Sequence, residues 1–177
     1  MIDNIKTKAA NLLLKSKIAK LKREVRSTGL ESAKSVGIVF HFDLKSDEVI
    51  RDFARFLKEE RIKVETLGYI SNKEWYDKAK PELDYQYFSK KEVNWLYVPQ
   101  KKETLDFINK EFDILIDCSI RSYFPIRYIV SLSKAKFKTG SNITYRAEVC
   151  DLTIDISSDK SIPFLLKQLK HYLSLIK

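Results

Sequence analysis

The sequence contains little glycine, proline or cysteine. Four glycines and four prolines among 177 residues are few for an all-β protein, and they favour long helices joined by short loops. No glycine-rich loop of the Gly-x-Gly-x-x-Gly or Gly-Lys-Ser/Thr type is present. This absence argues against a dinucleotide-binding enzyme and, more strongly, against a nucleotide hydrolase. The length is that of one ordinary domain with its own core.

Metal ligands and membrane-spanning segments are also scarce. Cys118 and Cys150 lie in apolar, strand-like runs, which predicts buried reduced thiols, with a disulfide or a reactive thiol as the alternatives. His41 and His171 belong to different elements, so we expect no metal site and no cofactor. No apolar run reaches the roughly 18 residues that span a bilayer, and the N-terminus lacks a signal-peptide pattern. We therefore expect a cytoplasmic protein.

Positive charge is concentrated near the N-terminus. Residues 1–28 carry eight basic side chains against two acidic ones, which accounts for +6 of the net charge of +9. The basic residues are Lys6, Lys8, Lys15, Lys17, Lys20, Lys22, Arg23 and Arg26. Such an asymmetry indicates an anionic partner, either nucleic acid or a membrane surface.

The same segment predicts a helix. Residues 3–27 lack proline and glycine, and Gly29 is a candidate stop. Apolar residues recur at helical spacing, at Ile5, Ala9, Leu12, Leu13, Leu14, Ile18, Leu21 and Val25. The stripe either packs on the domain and leaves the lysines in solvent, or the helix contacts nucleic acid, a membrane surface or a partner helix. We treat residues 1–28 as a basic amphipathic helical extension and residues 34–177 as a single domain.

From Val36 onward, strand-like runs alternate with helical patterns. The run 36–42 is continuously apolar, as is typical of a strand covered on both faces, and 62–70 follows as a second strand. Ser46 is a candidate N-cap for the helix between them. Further strands are predicted at 84–88, 112–118, 135–140 and 152–156, and helices at 101–110, from Pro125 and at 161–176. This alternation predicts an α/β fold, a three-layer Rossmann-like sandwich with a mostly parallel sheet, preceded by the basic helix.

One loop has the composition of an anion site. It follows the 112–118 strand and precedes a helix N-terminus, where hydroxyl, guanidinium and backbone N–H groups suit a phosphate. His41 lies near the carboxyl end of the first strand, where open α/β sheets bind ligands, and Asp43 is placed to orient it. Ordinary structural roles are the alternative for all of them. The candidate ligand-binding residues are Asp117, Ser119, Arg121, Ser122 and His41.

Three further lysines alternate around Phe137. On a strand, Lys134, Lys136 and Lys138 would share one face, either as solvated side chains or as an extension of a phosphate-contacting surface. No ribonucleoprotein-type aromatic motif is present. Any RNA contact would therefore depend on shape and backbone rather than on bases.

Two resemblances support this fold. From about residue 34, the runs 111–117, 124–129 and 133–140, together with 88–95 and 151–155, resemble an uncharacterised domain family of Bacteroidetes-type bacteria. The central run is also similar to the N-terminal half of heptosyltransferase-like glycosyltransferases, in which an Asp-hydrophobic-Asp strand, a helix and an Ala-Lys…Gly strand follow in that order. The chain lacks the glycine-containing loop and second Rossmann half of those enzymes, so the likeness implies fold alone.

Three functional hypotheses follow. The leading one is a non-catalytic binding protein that contacts RNA or the ribosome through the basic N-terminal helix. The second is a small enzyme or sensor that binds a nucleotide or sugar phosphate at the carboxyl ends of the strands. The third is attachment of the same helix to a membrane surface or a protein partner.

Overall fold

A computed structural model describes the backbone of residues 2–177 and the side chains of residues 5–177. Its elements, in chain order, are α1 (Ile2–Lys20), β1 (Ser35–His41), α2 (Leu44–Glu59), β2 (Lys63–Ile70), β3 (Tyr85–Ser89), α3 (Lys102–Asn109), β4 (Ile114–Asp117), α4 (Phe124–Leu132), β5 (Phe137–Ser141), α5 (Arg146–Val149), β6 (Leu152–Ile154) and α6 (Ile162–Leu175). Short 3-10 turns occur at Lys73–Trp75 and Lys90–Glu92.

The strands form one sheet in the order β3-β2-β1-β4-β5-β6, and each neighbouring pair is parallel. This confirms the predicted Rossmann-like α/β sandwich. From β1 the chain builds outward to β2 and β3, and then crosses back to place β4 on the other side. The crevice at the carboxyl ends of β1 and β4 is therefore the switch point at which open α/β sheets bind ligands.

Both faces of the sheet are covered by helices. In β1, Ile38 and Phe40 belong to the apolar cluster that packs with α2 and α6, whereas Val39 belongs to the cluster of α1, α3 and α4. Successive side chains of a strand point to opposite faces, so a strand covered on both faces requires an unbroken apolar run. The continuous pattern at 36–42 is explained in this way.

The predicted strands and long helices are all present, with ends shifted by a few residues. The predicted N-cap of α2 was wrong, because the cap is Asp43 rather than Ser46. Asp43 has an extended backbone, and its Oδ1 accepts a hydrogen bond of 2.9 Å from the backbone N–H of Ser46, so the helix starts three residues earlier. The four-residue helix α5 was not predicted.

The N-terminal helix is shorter than its composition indicates. It ends at Lys20, and the chain continues without regular structure past Gly29. Along this segment the backbone N–H of Arg26 donates to the carbonyl of Lys136 at 3.0 Å. Gly29 does not stop the helix. It allows a close approach to α6, because a Cβ there would lie 1.9 Å from the carbonyl oxygen of Ile176.

The side of α1 that packs on the domain also differs from the predicted apolar stripe. Ala10 and Leu14 are each 1% exposed and face α4, whereas Ile5 and Leu12 are 65% and 69% exposed. Polar contacts flank the buried line: the Arg127 guanidinium donates to Asn11 Oδ1 at 3.0 Å, and the Lys17 ammonium donates to the Tyr128 hydroxyl at 2.8 Å. No helix among the described residues is long and apolar enough to cross a membrane.

The packing of α1 predicts unequal effects of two leucine substitutions on the same helix. Leu14→Ala should lower the free energy of unfolding by about 2–4 kcal/mol, because it opens a cavity against α4. Leu12→Ala should change it by less than about 0.5 kcal/mol, because that side chain is exposed. Urea denaturation measures both values, and equal effects would contradict the packing of α1.

Candidate functional site

A cleft of about 250 Å³ opens at the switch point. Three segments converge there: the loop between β1 and α2, the loop between β4 and α4, and the first turn of α6. The lining residues are His41, Asp43, Ser46, Ser119, Ile120, Arg121 and Ile162. The parallel sheet brings these segments together, since the carboxyl ends of its strands share one edge.

A larger groove of about 570 Å³ lies between α2 and α6. It reaches Leu30 and Glu31, which precede β1, and so it lies at the amino edge of the sheet. The Lys170 ammonium already covers the Phe56 ring there, 3.5 Å from its centroid. Among the described residues that line this groove, no buried polar side-chain atom lacks a partner. The smaller cleft is the better ligand site on chemical grounds.

His41 is held by contacts that the sequence did not indicate. Its Nε2 lies 2.7 Å from the hydroxyl of Ser71, and its ring stacks on Tyr123 with centroids 4.2 Å apart. Asp43, expected to orient the ring, accepts hydrogen bonds from the backbone and hydroxyl of Ser46 instead. Burial lowers the pKa of His41 despite the opposing charge of Asp43, so the ring is neutral near pH 7.

Ser119 lies two residues after the end of β4 and is 1% exposed. Its backbone N–H donates to Asp117 Oδ1 at 2.9 Å, but its hydroxyl has no hydrogen-bond partner among the described residues. An unsatisfied buried hydroxyl costs about 1–3 kcal/mol, which a ligand could recover. Arg121 is exposed at the edge of the same cleft, and in the described part of the chain no carboxylate pairs with it.

Asp117 supports the cleft from behind. It forms a fully buried ion pair with Arg146, with Nε and Oδ2 2.7 Å apart, and it also accepts a hydrogen bond of 2.5 Å from the Tyr145 hydroxyl. Burial disfavours the guanidinium charge, but Asp117 outweighs it and raises the pKa of Arg146. Arg146 in turn donates to the carbonyl of Arg121 at 3.1 Å. The pair therefore positions the loop between β4 and α4.

The structure thus brings together three of the five predicted ligand-binding residues: His41, Ser119 and Arg121. Asp117 lies behind the cleft, and both of its carboxylate oxygens already accept hydrogen bonds from the protein. Ser122 is exposed and does not line the cleft. Ile162 was not predicted, although the helix expected at 161–176 begins at this edge of the sheet. Arg146 carried no recognisable signal, because a single arginine in a sequence does not show that it will be buried.

The lysines around Phe137 do not share a solvated face, so that interpretation was wrong. Lys138 is 2% exposed and its ammonium donates to the carbonyl of Ser131 at 3.1 Å, because β5 is an internal strand covered on both faces. Lys136 precedes the strand and donates to Asp113 at 3.0 Å. Lys134 is half-buried.

Part of the N-terminal charge is also engaged. Arg23 forms two hydrogen bonds to Asp151, of 2.6 and 2.8 Å, and a third to the carbonyl of Ala135. Arg26 lies 3.8 Å from Asp113. The exposed N-terminal lysines without an ion pair among the described side chains are Lys8, Lys15, Lys17, Lys20 and Lys22, of which Lys17 is held by the Tyr128 hydroxyl. Lys6 is half-buried. Binding of RNA or the ribosome through these residues stays a prediction.

A family model described as a family of unknown function (DUF6913) matches residues 6–176. The chain belongs to the DUF6913 family. No curated protein and no solved structure matches it. The resemblance to an uncharacterised family is thereby confirmed, whereas the similarity to heptosyltransferase-like glycosyltransferases finds no support in these comparisons.

The DUF6913 match begins within α1 and ends beyond the last residue of α6. It includes the residues of the cleft and most of the basic helix. Both candidate sites therefore lie within the extent of this family.

The buried pair of this DUF6913 chain predicts a large stability effect. Asp117→Asn should lower the free energy of unfolding by roughly 3–5 kcal/mol, because it leaves the Arg146 charge buried without a counter-ion. Asp52→Asn is the matched control, since it breaks an exposed pair with Arg55 and should change stability by less than about 1 kcal/mol. Chemical denaturation compares the two, and a small effect of Asp117→Asn would refute the positioning role.

Lys138 predicts a pH dependence of stability. Its burial and the nearby Arg23 charge lower its pKa to about 7 from the ordinary value of 10.5. Between these values Lys138 binds more protons in the unfolded chain than in the folded one, so its contribution to stability rises with pH. The raised pKa values of Cys118, Cys150 and Tyr87 act in the opposite direction once the thiols and phenols of the unfolded chain ionise, so the rise should appear between pH 7 and about pH 8.5.

Lys138→Met should flatten this rise, whereas Lys160→Met, at an exposed position, should preserve it. Urea denaturation at several pH values in this range measures the slope. Identical slopes in wild type and Lys138→Met would show that another group is responsible.

Proposed function

We propose that this chain is a ligand-binding domain that holds a small phosphorylated ligand, of sugar phosphate or nucleotide type, in the switch-point cleft. One observation carries the proposal: the buried hydroxyl of Ser119 has no partner among the described residues and lies in a cleft that Arg121 also lines. A phosphate oxygen would accept from the hydroxyl and pair with the guanidinium.

The charge distribution divides the cleft into two parts. Arg121 supplies positive charge beside Ser119, whereas Asp43 contributes a carboxylate at the start of α2. A phosphate is therefore favoured on the Arg121 side and disfavoured near Asp43. A carboxylate is a good acceptor for sugar hydroxyl groups. This asymmetry supports a ligand that carries hydroxyl groups as well as a phosphate over free inorganic phosphate.

The neutral ring of His41 fits the same ligand class. Its Nε2 is engaged with Ser71, and Nδ1 has no hydrogen-bond partner among the described residues. In the neutral ring, Nδ1 can form a hydrogen bond with a sugar hydroxyl, and the ligand needs no charge at that position. The volume of about 250 Å³ suits a single sugar phosphate or mononucleotide better than a dinucleotide.

Binding is proposed rather than catalysis. Nucleophilic catalysis needs a hydroxyl or thiol hydrogen-bonded to a base, and no described side chain accepts from the Ser119 hydroxyl. The Ser71 hydroxyl lies 2.7 Å from His41 Nε2, but Ser71 does not line the cleft. The Cys118 thiol is fully buried, and burial raises its pKa well above the ordinary value, so it remains protonated.

A thermal-shift panel tests the proposal. Ribose 5-phosphate, glucose 6-phosphate and AMP serve as probes, with the unphosphorylated sugars and inorganic phosphate as controls. A bound probe at about 100 times its Kd adds about 2.7 kcal/mol of stability. For a domain of this size that corresponds to a rise in Tm of roughly 5–10 °C.

Arg121→Ala should abolish the shift, and Arg55→Ala, which removes an exposed arginine outside the cleft, should preserve it. Ser119→Ala should weaken binding measured by calorimetry without lowering the Tm of the free protein, because no hydrogen bond of the free hydroxyl is lost. The absence of a shift with every phosphorylated probe, or an undiminished shift in Arg121→Ala, would refute the proposal.

A further inference from the structure

We propose that the outward face of α1 docks on an anionic membrane surface. The outward face is defined by Ile5, Lys8, Leu12 and Lys15. It is a second site, separate from the switch-point cleft, and it rests on the orientation of α1.

The packing of α1 determines which residues face outward. Ala10 and Leu14 are buried against α4, and Leu12, midway between them in sequence, points away from the domain. Ile5 lies seven residues before Leu12, which is two helical turns, so the two side chains share one line. They are 65% and 69% exposed. The outward face therefore presents a pair of aligned large apolar side chains to solvent.

Lysines accompany both apolar residues. Lys8 and Lys15 follow Ile5 and Leu12 by three positions each, which places them alongside on the helix surface. Both are exposed, and neither has an ion pair among the described side chains. The sequence from Ile5 to Lys20 contains no acidic residue. The outward face therefore combines exposed apolar side chains with lysines, and all of its charges are positive.

This combination matches an anionic bilayer. Lysine stems extend to the phosphate layer while their ammonium groups stay hydrated, and apolar side chains between them enter the boundary of the acyl chains. Anionic headgroups attract each nearby lysine, and the attraction adds over several lysines. Lys20, at the end of α1, and Lys22, just beyond it, are exposed as well and add positive charge near the outward face.

Two other occupants fit the outward face less well. An RNA backbone would pair with Lys8 and Lys15 but would leave Ile5 and Leu12 exposed, since phosphate contacts need no apolar partner. A second copy of the chain would cover the apolar pair, but its own lysines would lie against these lysines, and like charges at an interface are unfavourable. A membrane accommodates both features.

Vesicle co-sedimentation tests the proposal with the full chain. The wild type should sediment with phosphatidylcholine vesicles that contain phosphatidylglycerol, and about tenfold less with phosphatidylcholine alone. The double variant Ile5→Gln/Leu12→Gln should reduce binding to the anionic vesicles about tenfold. Lys8→Gln/Lys15→Gln should reduce it by a similar factor.

Matched controls come from exposed residues elsewhere. Leu83 is 92% exposed in the loop before β3, so Leu83→Gln removes an apolar side chain without changing the outward face. Lys63→Gln/Lys160→Gln removes two exposed lysines. Both control variants should bind vesicles like the wild type. Circular dichroism should show an unchanged Tm for the control variants and for the two double variants of the outward face, because each position is exposed.

Several outcomes would overturn the proposal. One is the absence of sedimentation with anionic vesicles, and another is full binding by Ile5→Gln/Leu12→Gln. Filter binding at the same salt that detects RNA binding without vesicle binding would favour nucleic acid instead. A dimer lost in the apolar double variant, without vesicle binding, would favour a second copy. Arg121→Ala should bind vesicles normally, so failure at the cleft is distinguishable from failure here.

Discussion

The ion pair between Asp117 and Arg146 lies at the centre of the carboxyl edge, and both side chains are fully buried. A charge in that position is tolerated only with a partner and further hydrogen bonds, which Tyr145 and the backbone N–H of Ser119 supply to the carboxylate. The same guanidinium holds the carbonyl of Arg121. The buried pair therefore holds the loop after β4 in place through its contacts with Ser119 and Arg121. The same two residues line the cleft.

The cleft and the outward face of α1 place different demands on the protein. In the cleft, a hydroxyl without a partner among the described residues, a neutral histidine and an exposed arginine form a small polar site at the switch point of a parallel sheet. On α1, charge and apolar surface coincide because Ala10 and Leu14, with the half-buried Leu13, pack on the domain, whereas Ile5 and Leu12 stay exposed. A chain with both sites would hold its phosphorylated ligand at an anionic membrane surface. Each site can be tested without the other.

The sequence was most informative where periodicity reports burial. The unbroken apolar run at 36–42 and the strand at 112–118 follow directly from coverage on both faces, and the helix stripes of α2 and α6 follow from coverage on one. Periodicity was misleading for α1, because its apolar residues cover several sides of the helix and the side that packs depends on α4. Residue type was misleading at Lys138, because a lysine normally indicates a solvent-exposed position, whereas this one is buried on an internal strand.

By itself the sequence determined the alternation of strands and helices, the parallel sheet that follows from it, and the presence of polar side chains at strand ends, because these depend on local pattern and chain connectivity. Only the tertiary structure decided that Ser119 and His41 share a cleft, that Asp117 serves Arg146 rather than a ligand, and that Leu12 faces outward. These are relations between residues far apart in the chain, and they are set by which surfaces pack together.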